Sequence, residues 1–213
     1  MNHVKSLAAL LFCAVFLCSC GQSDRNATAN RIGNNGRSIV YGIIQSNLER
    51  EALSLDSVWP SDRTFFNDDE KSYVGKSSSE YFHDLIKSEA VDNFTFSLFA
   101  GGGVPTAASL AQFLAGDNNI WSCFANFPEG APDDMPFLFT KNLRLTEDDL
   151  RNGIGNLADK LDPNVKPFGN ELVVVVQKGG GVQILTAKML QNPDLFFGSW
   201  NPRDYPAATI LNP

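Results

Sequence analysis

Few residues in this chain have side chains suited to chemistry. Only His3 and His83 occur among the 213 residues. A Ser-His-Asp arrangement needs an imidazole to carry a proton, and His3 belongs to the extreme N-terminus, so His83 would have to serve. It lies between Phe82 and Asp84 in a helical pattern, away from any nucleophile turn, and reads as a surface or rim histidine. Two glycine triplets, Gly101–Gly103 and Gly179–Gly181, invite a phosphate-loop reading. The first lacks the required glycine, lysine and hydroxyl spacing. The second joins two strand-like runs, where glycine serves a turn. Acidic clusters stand at Asp68-Asp69-Glu70, Asp133-Asp134 and Glu147-Asp148-Asp149. None has the spaced pattern of a calcium loop, so they read as solvated turns. No carboxylate pair stands out for glycoside hydrolysis, which needs two that face each other. Cys123, among Ile120, Trp121 and Phe124, reads as a small buried hydrophobe. The chain is therefore expected to have no catalytic residues, no metal ligands and no cofactor, and to be no enzyme. Trp59, Trp121 and Trp200 support a rival reading, a ligand- or glycan-binding groove, if two of them share an open face.

The N-terminus has a different character. Met1 to Lys5 carries one positive charge, Leu7 to Leu17 is apolar around Cys13, and Leu17-Cys18-Ser19-Cys20 follows. This is the layout of a secretory signal. The apolar run is shorter than the ~20 residues that a bilayer-spanning helix needs. Its ending resembles the lipobox of bacterial lipoproteins, with an aliphatic residue three before the cysteine and a small residue just before it. The resemblance implies cleavage after Ser19 and lipidation, including palmitate-type acylation, at Cys20. It also implies a cell-envelope location. Gly21 follows the cysteine where aspartate would favour the inner membrane, so the outer membrane is expected. Residues 1–19 are then a lipoprotein signal peptide. Cys123 is the one thiol left over, so no internal disulfide is expected in the exported domain.

The net charge is −7, and lysines and arginines are scattered singly along the chain. A nucleic-acid partner is not expected. Sixteen phenylalanines argue for a real core. Residues 20–36, rich in Asn, Ser and Gly, read as a flexible tether, and residues 37–213 as one globular domain. From Ile39 to Leu55, apolar residues recur at helical spacing, with Ile43, Ile44, Leu48 and Leu53 on the stripe. Ser77 and Glu80 form a capping box that opens a second helix over 78–90. Between these helices, Asn67–Glu70 reads as a polar loop. Alternation at Phe94, Phe96 and Leu98 predicts a strand. Residues 109–115 read as a short helical turn, and residues 120–127 and 136–140 as strands. Residues 146–161 read as a capped helical or irregular insertion. Leu172–Gln177 and Val182–Thr186 form a hairpin through the second glycine triplet. The aromatic tail with Phe196, Phe197, Trp200 and Tyr205 is expected to pack back. The order predicts an α+β fold, with a long N-terminal amphipathic helix on one face of an antiparallel sheet.

Several phrases in this order resemble the globular heads of type II secretion pseudopilins and related prepilin-like proteins. They are Gly36-Arg37-Ser38-Ile39-Val40, Asn47–Ala52 leading to Ser57-Val58-Trp59-Pro60, Ser79-Glu80-Tyr81-Phe82, Phe99-Ala100-Gly101, Asp133–Thr140 and Pro167-Phe168-Gly169-Asn170. The likeness covers residues from about 36 to 190. It implies a pilin-like fold and a non-enzymatic role as an interaction or assembly module, with an envelope protein, such as a secretion component, as partner. The chain departs from the family at its N-terminus, where a lipobox stands in place of the prepilin-peptidase site and the apolar half-helix.

Overall fold

A computed structural model describes the backbone of residues 2–61, 76–128, 130–153 and 155–213, with side chains from residue 23 onward. The fold is α+β. One long helix, α1 (Asn2–Ala52), is followed by α2 (Ser78–Lys87), α3 (Leu110–Leu114), β1 (Trp121–Ala125), β2 (Pro136–Thr140), α4 (Glu147–Asn152), β3 (Leu172–Gln177), β4 (Val182–Thr186), α5 (Asp194–Phe197) and β5 (Thr209–Leu211). The sheet has five strands in the order β4-β3-β2-β1-β5, and every pairing is antiparallel. β1 to β4 form a meander, and the chain then returns to add β5 beside β1.

The three interior strands are buried almost throughout, Ser122 and Thr140 included, because both faces are covered. In a strand, successive side chains point to opposite faces. Val174 and Val176 point toward α1, where Gly33 and Gly36 lie against them. On the opposite face, Phe124 meets Trp200 at 4.8 Å between ring centroids, and Phe139 meets Phe196 at 5.7 Å. The tail thus packs back as the sequence predicts. α1 covers one side of the sheet, as expected, and the 189–200 segment covers the other.

The stretch 20–36, expected as a flexible tether, lies within α1 instead. Ala29, Ile32, Gly33, Gly36, Ile39, Val40 and Ile43 are buried along one side of the helix. Their spacing of three and four residues is that of a core-facing helical stripe. Glycine costs helix stability, by ~1 kcal/mol relative to alanine, and so reads as a breaker. Here it permits close approach. A Cβ on Gly36 would lie 2.8 Å from Trp121 Cη2 and 2.7 Å from Val176 Cγ2. The stripe accordingly sits further toward the N-terminus than expected. Leu48, Leu53 and Leu55, assigned to it from the sequence, are 64%, 70% and 50% exposed. Near the end of α1, Asn47 Oδ1 accepts from the Val58 amide at 2.8 Å and from Ser57 Oγ at 3.0 Å, which folds the following chain back.

The capping box of α2 is present: Glu80 N donates to Ser77 Oγ at 3.1 Å and Ser77 N to Glu80 Oε2 at 2.6 Å. The strand expected around Phe94–Leu98 is instead a 3-10 turn at Phe96–Phe99. Its alternating aromatics act as plugs. Phe94 and Phe113 both pack on Phe99, at 5.9 and 4.9 Å. The hairpin of β3 and β4 and the short helices α3 and α4 lie where the sequence places them. The polar loop expected at Asn67–Glu70 lies outside the described residues.

Candidate functional site

The backbone of Cys20, the expected lipidation site, lies within α1, and its thiol lies outside the described side chains. One turn further on, Asp24, Arg25 and Thr28 form one wall of a cleft of about 550 Å³. The opposite wall is the loop that carries Lys166, Pro167 and Glu171. Arg25 and Glu171 form an ion pair across it. The loop is held from below. Buried Asn142 donates from Nδ2 to the carbonyls of Gly169 and Leu172, both at 2.8 Å. The middle of α1 is thereby tied to the domain at Arg25.

The residues weighed for chemistry are dispersed. His83 Nδ1 lies 3.0 Å from Asp84 Oδ1 at the helix surface, beside its own neighbour in sequence. Cys123 is fully buried in β1, and burial pushes its thiol far above the usual range, which keeps it protonated. The glycine triplet after β3 makes the hairpin turn, with Gly180 at φ +86°. Trp59, Trp121 and Trp200 are 8%, 0% and 2% exposed and share no open face.

The acidic clusters serve local structure. Asp134 accepts from Ser199 Oγ at 2.5 Å and from the Ser199 amide at 2.9 Å, and these bonds hold its carboxyl below the ordinary range. Asp133 lies 3.6 Å from Lys178 Nζ. Asp149 completes the Thr146 capping box of α4 and sits 2.6 Å from Lys160 Nζ. Burial pushes its carboxyl up, but the bonds from Lys160 and Thr146 outweigh that and lower it. The cluster at Asp68–Glu70 lies outside the described residues. Among the described residues, no three His, Cys, Asp or Glu side chains gather as a metal group. Sequence reasoning did not anticipate the cleft, because its walls come from segments more than a hundred residues apart. A comparison with protein families, curated proteins and solved structures finds no match to this chain.

Proposed function

We propose that this protein is a non-enzymatic, lipid-anchored module of the cell envelope. Its pilin-like head is carried on Cys20 and contacts another envelope protein, such as a secretion component. The observation that carries the reading is α1 itself. A long N-terminal helix whose small-residue stripe lies on an antiparallel sheet supports a pilin-like head. That helix also leads straight back to the lipobox-like Leu17-Cys18-Ser19-Cys20. From Cys20 to Ala29, the first buried residue of the stripe, the rise is only about 13 Å at ~1.5 Å per residue. Lipid at Cys20 would therefore hold the head close to the outer-membrane surface and fix its orientation. Two or more acyl chains anchor firmly where one does not. The buried tryptophans favour this reading over a glycan-binding groove, which needs an open aromatic face.

Metabolic labelling with a palmitate analogue tests the anchor. The wild-type chain should be labelled and fractionate with the outer membrane, and Cys20→Ala should lose both properties. Equal labelling of the two would remove the lipid reading. Crosslinking and pull-down of the intact chain from membranes tests the role: an envelope secretion component should be recovered, and recovery of a bound glycan instead would favour the rival.

A further inference from the structure

Lysines and arginines that are scattered along the sequence meet at one place on this acidic protein. A cavity of about 400 Å³ is lined by Lys141, Arg144 and Lys166, with Asp117, Asn164 and Pro213 completing the wall. Lys141 follows β2 directly, Arg144 lies one turn beyond, and Lys166 belongs to the loop that also borders the cleft beside α1. Three cationic side chains face Asp117, with Asp162 beside Arg144, so cations outnumber carboxylate side chains three to two in this hollow on a chain of net charge −7.

The walls are fixed by the backbone. Lys141 N donates to Ile120 O at 2.8 Å, Arg144 N to Lys160 O at 2.8 Å, and Asp162 N to Asn142 O at 2.8 Å. Lys166 Nζ reaches Gly103 O at 3.3 Å, which uses one of its three protons. Among the described residues, the Arg144 guanidinium pairs with Asp162, 3.8 Å from Nε. Lys141 is half-buried, and among the described residues its ammonium has neither a hydrogen bond nor an ion pair. A partly desolvated ammonium without a partner is costly unless an anion satisfies it.

We propose that this cavity binds a phosphate group, with Lys141 as the central donor and Arg144 and Lys166 closing on its oxygens. The shift of the Lys141 ammonium follows from these surroundings. Burial lowers its pKa, and Arg144 adds to this while Asp117 opposes it. An arriving dianion would reverse the imbalance. The phosphate belongs either to a free solute or to a lipid headgroup. The inference does not depend on lipid at Cys20.

Lysine footprinting of the full chain in phosphatidylcholine vesicles tests it. Lys141 is acetylated with an N-hydroxysuccinimide ester while inorganic phosphate is titrated against chloride at matched ionic strength. Modification of Lys141 should fall saturably, while exposed Lys188, outside the cavity, stays unchanged. Arg144→Gln, at an exposed position, should raise the half-protecting concentration by about tenfold. If inorganic phosphate does not protect but phosphatidylglycerol in the vesicles does, and the Arg144 variant loses that protection, the group is a lipid headgroup and the site stands. The proposal is overturned if neither probe protects Lys141, if Lys188 is protected equally, or if Arg144→Gln changes nothing.

Discussion

Replacing Gly36 with valine tests whether residues 20–36 are a packed spine or a leash. A Cβ alone at this position meets three atoms under 3.0 Å: Val176 Cγ2 at 2.7 Å and Trp121 Cη2 and Cζ2 at 2.8 Å. Trp121 has little room to yield. It is fully buried, and its Nε1 donates to Leu98 O at 3.1 Å. Overpacking of a filled core costs ~1–3 kcal/mol. The helix-propensity gain of valine over glycine returns only a few tenths, roughly 0.4 kcal/mol. A net loss of about 2 kcal/mol should lower Tm by roughly 4–8 °C for a domain of this size. The control is Asn34→Val, two positions away on the exposed side of the same helix, which should shift Tm by about a degree at most. Thermal unfolding of the detergent-solubilised full chain by circular dichroism reads both. In a flexible tether, both variants would melt with wild type. A Gly36→Val protein that melts at or above the Asn34→Val protein would refute the packing of α1 on β3 described above.

Three further outcomes follow from the same core. Ile43 is fully buried and Gln45 exposed, so Ile43→Asp should abolish cooperative unfolding by circular dichroism, because an unpaired charge would enter the core, while Gln45→Asp should melt near wild type. Cys123 should resist maleimide in the native state and react only as fast as the domain opens. Peptide mass spectrometry at this residue gives the rate, and fast native labelling would contradict its burial. Asp149→Asn breaks the α4 capping box and the bond to Lys160, and should cost about 0.5–2 kcal/mol at neutral pH. The carboxyl is held below its ordinary value in the fold. Its contribution is therefore complete above ~pH 4, the unfolded value, and is lost as pH falls through the lower folded value. The gap between wild type and Asp149→Asn in urea titrations should close over that acid range, and a constant gap would show that the charge is irrelevant.

The sequence displayed its strands better than its spine. Leu172–Gln177 and Pro136–Thr140 announce themselves by β-branched or aromatic runs between turn residues, and both are strands. The capping residues Ser77 and Thr146 mark helix starts through a local chemistry that needs no tertiary information. The spine failed the same test because its contact residues are small. Gly33 and Gly36 carry no hydropathy signal, and their role is visible only once Val174, Val176 and Trp121 stand opposite. Leu48 and Leu53 carry a strong signal and face solvent. The periodicity was real, but the helix leaves the sheet before it reaches them. Residues Phe94–Leu98 show the converse error, in which aromatic alternation satisfied a strand pattern while tertiary packing used the rings as plugs around Phe99.

For the sites, the limit is one of distance along the chain. A lipobox-like ending is local, so the expectation at Cys20 rests on its immediate neighbours alone. A phosphate hollow is not. Lys141 and Arg144 are near each other, but Lys166 joins them only because the 160–171 loop is tied back through Asn142 and the Arg144 and Asp162 amides. In the sequence, each of these cations reads as one more solvated charge in an acidic domain. In the fold, the same loop borders both the cleft beside residues 24–28 of α1 and the basic cavity. Lipid at Cys20 would bring that end of the molecule toward the membrane, since Asp24 on the cleft wall is about one helical turn, ~6 Å of rise, beyond the cysteine. The anchor and the cavity would then share one face, and a cation cluster facing an anionic surface gains attraction that falls off within about a Debye length, ~8–10 Å. Orientation by a stiff helix, not reach along a leash, is what would make that short-range attraction usable.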